Sequence, residues 1–343
     1  MRNMKNLTFA LCLSLLVISC KETAIQEPLP PSKIAFGSCC IQVGDLTIFD
    51  SILKMQPQLY LALGDNMYGD AIAGEPDKAW LELNYTILGN NASFKRLKSN
   101  VPMIATWDDH DFGGNNRGSN YTQKQDSKDA FLSFFNEPAE SERRHHPGIY
   151  TSYFYGDEAH RLQIIVLDTR WFLDVFSGEP ISPTSDTSKH FLGQVEWDWL
   201  KAELLKPAKV RIIMTSTQML HEHNGYESWT NYPHELNRFF QLLKETRANG
   251  VFMVSGDVHY AELSKRSMPD MYPLYDMTSS GLNQVLDNPQ PNMYRVGNGL
   301  KELNFGMINI DWNSNPISIS LEVYNKKRQL KIQQTVTTDE LKF

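Results

Sequence analysis

The sequence predicts a mixed α/β sandwich, two β-sheets flanked by helices, and three features predict it. Short apolar runs, β-branched or Leu-rich, recur along the chain, and each ends in a polar cluster. Helix-like segments lie between several of them, and strand–helix alternation implies buried strands with helices over them. Towards the C-terminus the pattern changes to apolar–polar alternation, the signature of antiparallel strands with one wet face.

The runs come in order. Residues 34–38 end at Cys39-Cys40, residues 59–63 at Gly64-Asp65-Asn66, and residues 101–106 at Asp108-Asp109-His110-Asp111. Residues 162–167 end at Asp168-Thr169-Arg170, residues 210–214 at Thr215-Ser216-Thr217-Gln218, and residues 251–255 at Gly256-Asp257-Val258-His259. The helix-like segments are 45–55, 77–97, 126–135, 193–205 and 233–247, and the alternating strands are 307–312, 317–324 and 330–336. Ligands of open α/β sheets gather at the C-terminal ends of strands, and almost every polar cluster falls there.

Composition narrows the function. The 343 residues are 41% hydrophobic and 21% charged, ordinary for a folded domain, with a formal net charge of -7. That balance argues against a protein that coats nucleic acid. Phosphate binding in a net-negative chain needs a local source of positive charge, and metal ions are one. At the N-terminus, Arg2 and Lys5 precede an apolar stretch, 7–18, too short to span a bilayer. Val17-Ile18-Ser19-Cys20 then resembles a bacterial lipoprotein cleavage box, with a plain secretory signal as the alternative. We expect a signal peptide at 1–19, a lipidated Pro-rich tether at 20–32 starting with acylated Cys20, and one domain over 33–343. The expected location is the bacterial cell envelope, anchored in the bilayer at the periplasmic face or the cell surface. Cys39 and Cys40 are adjacent and have no evident disulfide partner.

Four clusters carry chemistry. Gly64 permits a sharp turn that presents Asp65, with Tyr68 one short turn later; a carboxylate there can bridge two cations or merely cap the next segment. Asp108, Asp109 and Asp111 surround His110, and their mutual repulsion calls for a cation. Asn115 and Asn116 follow as possible amide ligands. Asp257 and His259 are two residues apart and face the same way on an extended chain. Cys39 is a soft ligand or a buried thiol. Oxygen donors suit calcium, while tyrosinate and thiolate suit ferric iron or zinc.

Together the clusters resemble the alkaline phosphatase D family of the metallophosphatase superfamily. The carriers are Phe36-Gly37-Ser38-Cys39, Leu63-Gly64-Asp65-Asn66-Met67-Tyr68, Thr106-Trp107-Asp108-Asp109-His110, Leu167-Asp168-Thr169-Arg170, Leu192-Gly193-Gln194, Gly256-Asp257-Val258-His259 and Thr278-Ser279-Ser280-Gly281, in the family's order. The resemblance implies a four-layer αββα fold with two mixed sheets and a site holding iron(III) and calcium, other divalent metals being possible. It implies that Cys39 and Tyr68 bind the iron, that Asp65 bridges, and that Asp109, Asn115, Asp257 and His259 complete the metal set. It makes His110 and Arg170 catalytic, with Arg170 contacting substrate phosphate, and Gln218 and Trp229 part of the substrate cleft. The expected activity is hydrolysis of a small phosphate ester, mono- or diester, by metal-activated water. The alternative is a non-catalytic ligand-binding surface lipoprotein on the same scaffold; no protein partner is inferred. Two departures bear on substrate choice: only a tether precedes the Cys39 motif, where larger relatives carry a β-rich domain, and the segment 84–98 is poor in Arg. No Gly-x-Ser-x-Gly elbow follows the strands, which argues against a serine esterase. His221-Glu222-His223 reads as cleft wall ahead of a second metal site.

Overall fold

The computed structural model describes residues 29–71, 74–176, 180–223 and 225–343. The expected signal peptide, Cys20 and most of the tether lie outside the described residues. Among the described residues, no helix is long and apolar enough to cross a membrane.

The first sheet joins β1 (Lys33–Gly37), β2 (Leu59–Leu63) and β3 (Met103–Thr106), mutually parallel, to the antiparallel meander β10 (Asn304–Asp311), β11 (Ser318–Asn325) and β12 (Leu330–Thr337). Its order is β12-β11-β10-β1-β2-β3. The second sheet has the parallel core β5 (Leu162–Val166), β6 (Val210–Met214), β7 (Val251–Ser255) and β9 (Leu274–Ser279), edged by antiparallel β4 (Thr151–Tyr155) and β8 (Ala261–Arg266). Each sheet has six strands, and both are mixed.

Strand periodicity decides the layering. Ile34, Phe36, Leu61 and Leu63 point one way and join the apolar cluster that holds Ile164, Ile212 and Val254 of the second sheet. The intervening Ala35, Tyr60 and Ala62 point the other way, into a second cluster with Phe49, Leu88, Phe94 and Phe131. Those four belong to α1 (Ile48–Lys54), α2 (Lys78–Asn90), α3 (Ala92–Asn100) and α5 (Lys124–Phe134), which cover the outer face. Beyond the second sheet lie α6 (Gln194–Leu204) and α7 (Pro233–Thr246), whose Trp197, Leu200, Phe239 and Leu243 belong to the same continuous apolar cluster. Each such buried side chain stabilises the fold by roughly 1.5–3 kcal/mol. The result is the expected helix–sheet–sheet–helix sandwich.

The structure departs from the sequence reading in particular places. The expected helix over 77–97 is two helices. Asn91 breaks it by turning extended, and its side chain accepts from the N–H groups of Ser93 and Phe94 to start α3. Strands β4, β8 and β9 were not expected. β8 and β9 bury Glu262 and Asp276 among apolar neighbours, which erases the alternation that marks a strand.

Candidate active site

The parallel strands of both sheets release their chains at one edge of the sandwich. The turns after β1, β2, β3, β7 and β9 meet there because the sheets are stacked with these ends on the same side. The backbone is bent sharply at the key residues: Cys39, Asp65, Asn116, Asp257 and His259 all have positive φ, between 47° and 75°. Such conformations disfavour side chains with a Cβ and cluster at functional sites, where the surrounding structure holds them in place. Gly64, at φ 98°, passes so close to Asp108 that a Cβ would lie 2.6 Å from that side chain.

Three overlapping donor groups result, each with its ligand atoms within 4.8 Å of one another: Cys39, Asp65 and His259; Asp65, Asp109 and His110; and Asp108, Asp109 and Asp257. Asp65 belongs to the first two and Asp109 to the last two, so the set forms a chain of adjacent sites. Cys39 Sγ lies 3.5 Å from Asp65 Oδ2 and 3.0 Å from Ser280 Oγ. Tyr68 adds its hydroxyl 2.9 Å from His259 Nε2. Asn115, expected as a ligand, lines the same cavity as Asp65, Asp109 and His259. The cavity measures about 270 Å³.

The three carboxylates beside His110 have separate duties. Asp109 faces the cavity. Asp111 accepts from the N–H groups of Asn66 and Asp108, tying the β2 turn to α4 (Asp109–Phe112). Asp108 accepts from Ser216 Oγ at 2.7 Å and from Arg170 Nε at 2.6 Å. His110 is held on two sides: its Nδ1 is 2.5 Å from Asp70 Oδ2, and its ring stacks on Tyr68 at 4.1 Å. Burial disfavours the charged ring, but the carboxylates of Asp109 and Asp70 outweigh it and bring the imidazole up to about 9.

The electrostatics call for cations. Burial, then the nearby Cys39 and Asp109, push the Asp65 carboxyl well above its ordinary range; burial, then Asp108 and Glu227, do the same to Asp257. Burial raises Glu227 to about 8 against the pull of Arg170, and raises the Cys39 thiol to about 12. Asp108 Oδ2 is buried without a hydrogen-bond partner. Five buried or half-buried carboxylates meeting near one buried guanidinium leave negative charge that the protein alone does not balance. Thiolate, phenolate and imidazole on one side and carboxylates on the other fit a softer transition metal next to a hard cation.

Three expected site residues are not brought to the cavity. Arg170 is fully buried beneath it, between Asp108 and Glu227, its Nη1 2.5 Å from Glu227 Oε1. Asp168 turns it inward by accepting from the N–H groups of Arg170 and Trp171 and from the Trp107 indole. The side chain expected to contact substrate phosphate is thus paired with Asp108 and Glu227 and does not line the cavity. Gln218 is buried against Glu262 and Thr278. Trp229 is buried against Phe191, Trp197 of α6 and Phe239 of α7, its indole donating to Thr215 Oγ1. Both are packed side chains, not cleft walls. His221 is buried with Nε2 3.8 Å from Glu262 Oε1, and among the described residues no three-donor group includes it.

Two residues that matter escaped the sequence reading. Asp70 lies two positions past Tyr68, in a stretch already singled out, and its pairing with His110 is the signal missed. Glu227 lines the cavity and pairs with Arg170; it sits in a loop with no pattern of its own.

A family model described as PhoD-like phosphatase matches residues 15–283. Alkaline phosphatase D of Bacillus subtilis (strain 168) is 24% identical over 196 residues, 50% of this chain and 33% of that protein, so the match spans about a third of the relative's length. A solved structure of PhoD is similar in fold, with TM-score 0.72 at 17% identity over 90% of this chain and 72% of its own. GAP50, the anchor in the inner membrane complex of Plasmodium, shares the fold with TM-score 0.58 at 13% identity over 90% of this chain and 89% of its own.

Proposed function

This chain belongs to the PhoD-like phosphatase family, and from that premise we propose that it hydrolyses phosphate esters with metal ions held at the edge of the sandwich. The observation that carries the reading is the convergence of Cys39, Asp65, Asp109, Asp257 and His259, drawn from four separate turns, on adjoining donor groups. Cys39, Tyr68 and His259 would hold iron(III), Asp109, Asn115 and Asp257 would hold calcium, and Asp65 would serve both. Bound there, such ions supply positive charge to phosphoryl oxygens and make water a stronger nucleophile.

The chain's own residues do the rest. Asp70 takes the Nδ1 side of His110, which leaves Nε2 as the nitrogen for a ligand in the cavity. Stacking on Tyr68 fixes the plane of the ring. His110 then donates a proton to the departing ester oxygen, the role its place on the cavity wall favours. Arg170 keeps Asp108 ionised and in place from below and is a positioning residue.

Elemental analysis of the purified protein, followed by a mono- and diester panel with and without chelator, tests the reading. Metal content with chelator-sensitive hydrolysis is expected; full hydrolysis by chelated, metal-free protein overturns it. The N-terminal box supports envelope anchoring through acylated Cys20, and mass spectrometry of the mature N-terminus checks that.

A further inference from the structure

We propose that the site selects phosphate esters whose leaving group is apolar and carries no second anionic charge. The proposal rests on the phosphatase reading and names its substrate class. The cavity has two unlike halves. Its floor is the acidic donor set. Its outer wall is mostly apolar, Ile181, Tyr226, Val258, Tyr260 and Leu286 beside the uncharged Gln290, and none of the described residues lining the cavity is Lys or Arg.

The wall is a built feature. It is assembled from the loops after β5, β6, β7 and β9. The Ile181 N–H donates to Gly225 O at 2.9 Å, joining the first two loops. The Leu286 N–H donates to His259 O at 2.9 Å, joining the last to a metal-binding residue. Ile181 and Tyr260 are buried in this wall, whereas Tyr226 and Leu286 are 55% and 46% exposed and turn apolar surface to an entering ligand.

The physics of the wall sets the preference. An anion placed against it loses water and finds no cation there, and a buried unpaired charge is strongly disfavoured. An aromatic or aliphatic group instead gains by removing apolar surface from water. Nucleoside polyphosphates and sugar bisphosphates, whose leaving groups carry further anionic charge, are disfavoured.

Two aryl esters matched at the reacting bond test this: 4-ethylphenyl phosphate and 4-(phosphonomethyl)phenyl phosphate. Metal-loaded protein of verified metal content should favour the first at least tenfold in kcat/KM. Leu286→Lys, at an exposed position where the fold tolerates it, should narrow that ratio at least fivefold by supplying the missing cation. Equal rates, a preference for the second ester, or a ratio unmoved by Leu286→Lys overturns the proposal. Calorimetric binding of 4-ethylbenzylphosphonate and of 1,4-xylylene bisphosphonate gives a readout independent of turnover. Absence of hydrolysis of both esters counts against the phosphatase reading, and the binding ratio, expected above tenfold in favour of the monophosphonate, still decides the selectivity. A ratio near one overturns it.

Discussion

Replacing Arg170 with Met separates a counter-ion beneath the site from a residue that grips substrate. The guanidinium has no exposure, touches Asp108 through Nε at 2.6 Å and Glu227 through Nη1 at 2.5 Å, and is the buried cation among the site's carboxylates. Two unit charges about 4 Å apart attract by about 4 kcal/mol at an effective dielectric of 20. Removing one partner of a buried pair costs about 3–5 kcal/mol, because the remaining charge is left uncompensated. For a chain of this length each kcal/mol corresponds to about 1.5 °C, so chelated Arg170→Met should melt about 5–8 °C below chelated wild type. The double variant Arg170→Met, Glu227→Leu removes a stranded charge and should recover part of that loss, which makes the pair non-additive. Scanning calorimetry in chelator reads all three proteins. An Arg170→Met variant as stable as wild type, with a raised KM for aryl phosphate as its sole defect, would refute the counter-ion role and return Arg170 to the substrate.

Four further outcomes follow from the same geometry. Asp65→Asn should abolish metal-dependent hydrolysis and the stabilisation conferred by added metal without unfolding the protein, because Asn tolerates the positive φ of 47° there; circular dichroism, metal analysis and a phosphate-release assay check this together. Removing metal from wild type with chelator should reduce hydrolysis at least a hundredfold and lower the melting temperature, by the linkage between binding and folding. Trp229→Ala should destabilise by about 3–5 kcal/mol through the cavity it leaves, with KM for aryl phosphates little changed, since the indole is buried in the core; urea denaturation and steady-state kinetics read the two effects. Cys39 and Cys40 should escape alkylation in native, chelated protein at pH 8 and react once it is unfolded, because both are buried and burial pushes both thiols up; peptide mapping distinguishes them.

Much of this protein could be read along the chain. Strands β2, β6 and β7 begin and end at the expected residues, because a continuous apolar run bounded by turn residues is a local signal. The residues expected to bind metal, Cys39, Asp65, Tyr68, Asp109, Asn115, Asp257 and His259, all reach one edge of the sandwich, because strand ends in a parallel sheet share a direction and place their loops together. What the chain alone could not decide was which polar side chains at those ends face the cavity and which face inward. Arg170 and Gln218 sit at strand ends just as Asp109 and Asp257 do, yet Asp168 turns the one beneath the site and Glu262 holds the other in the core. Asp70 and Glu227 gain their meaning from His110 and Arg170, residues 40 and 57 positions away that only packing brings within hydrogen-bonding reach. Periodicity is set by neighbours in sequence, whereas burial and pairing of a charge are set by neighbours in space, and for this site the latter divide the ligands from the scaffold.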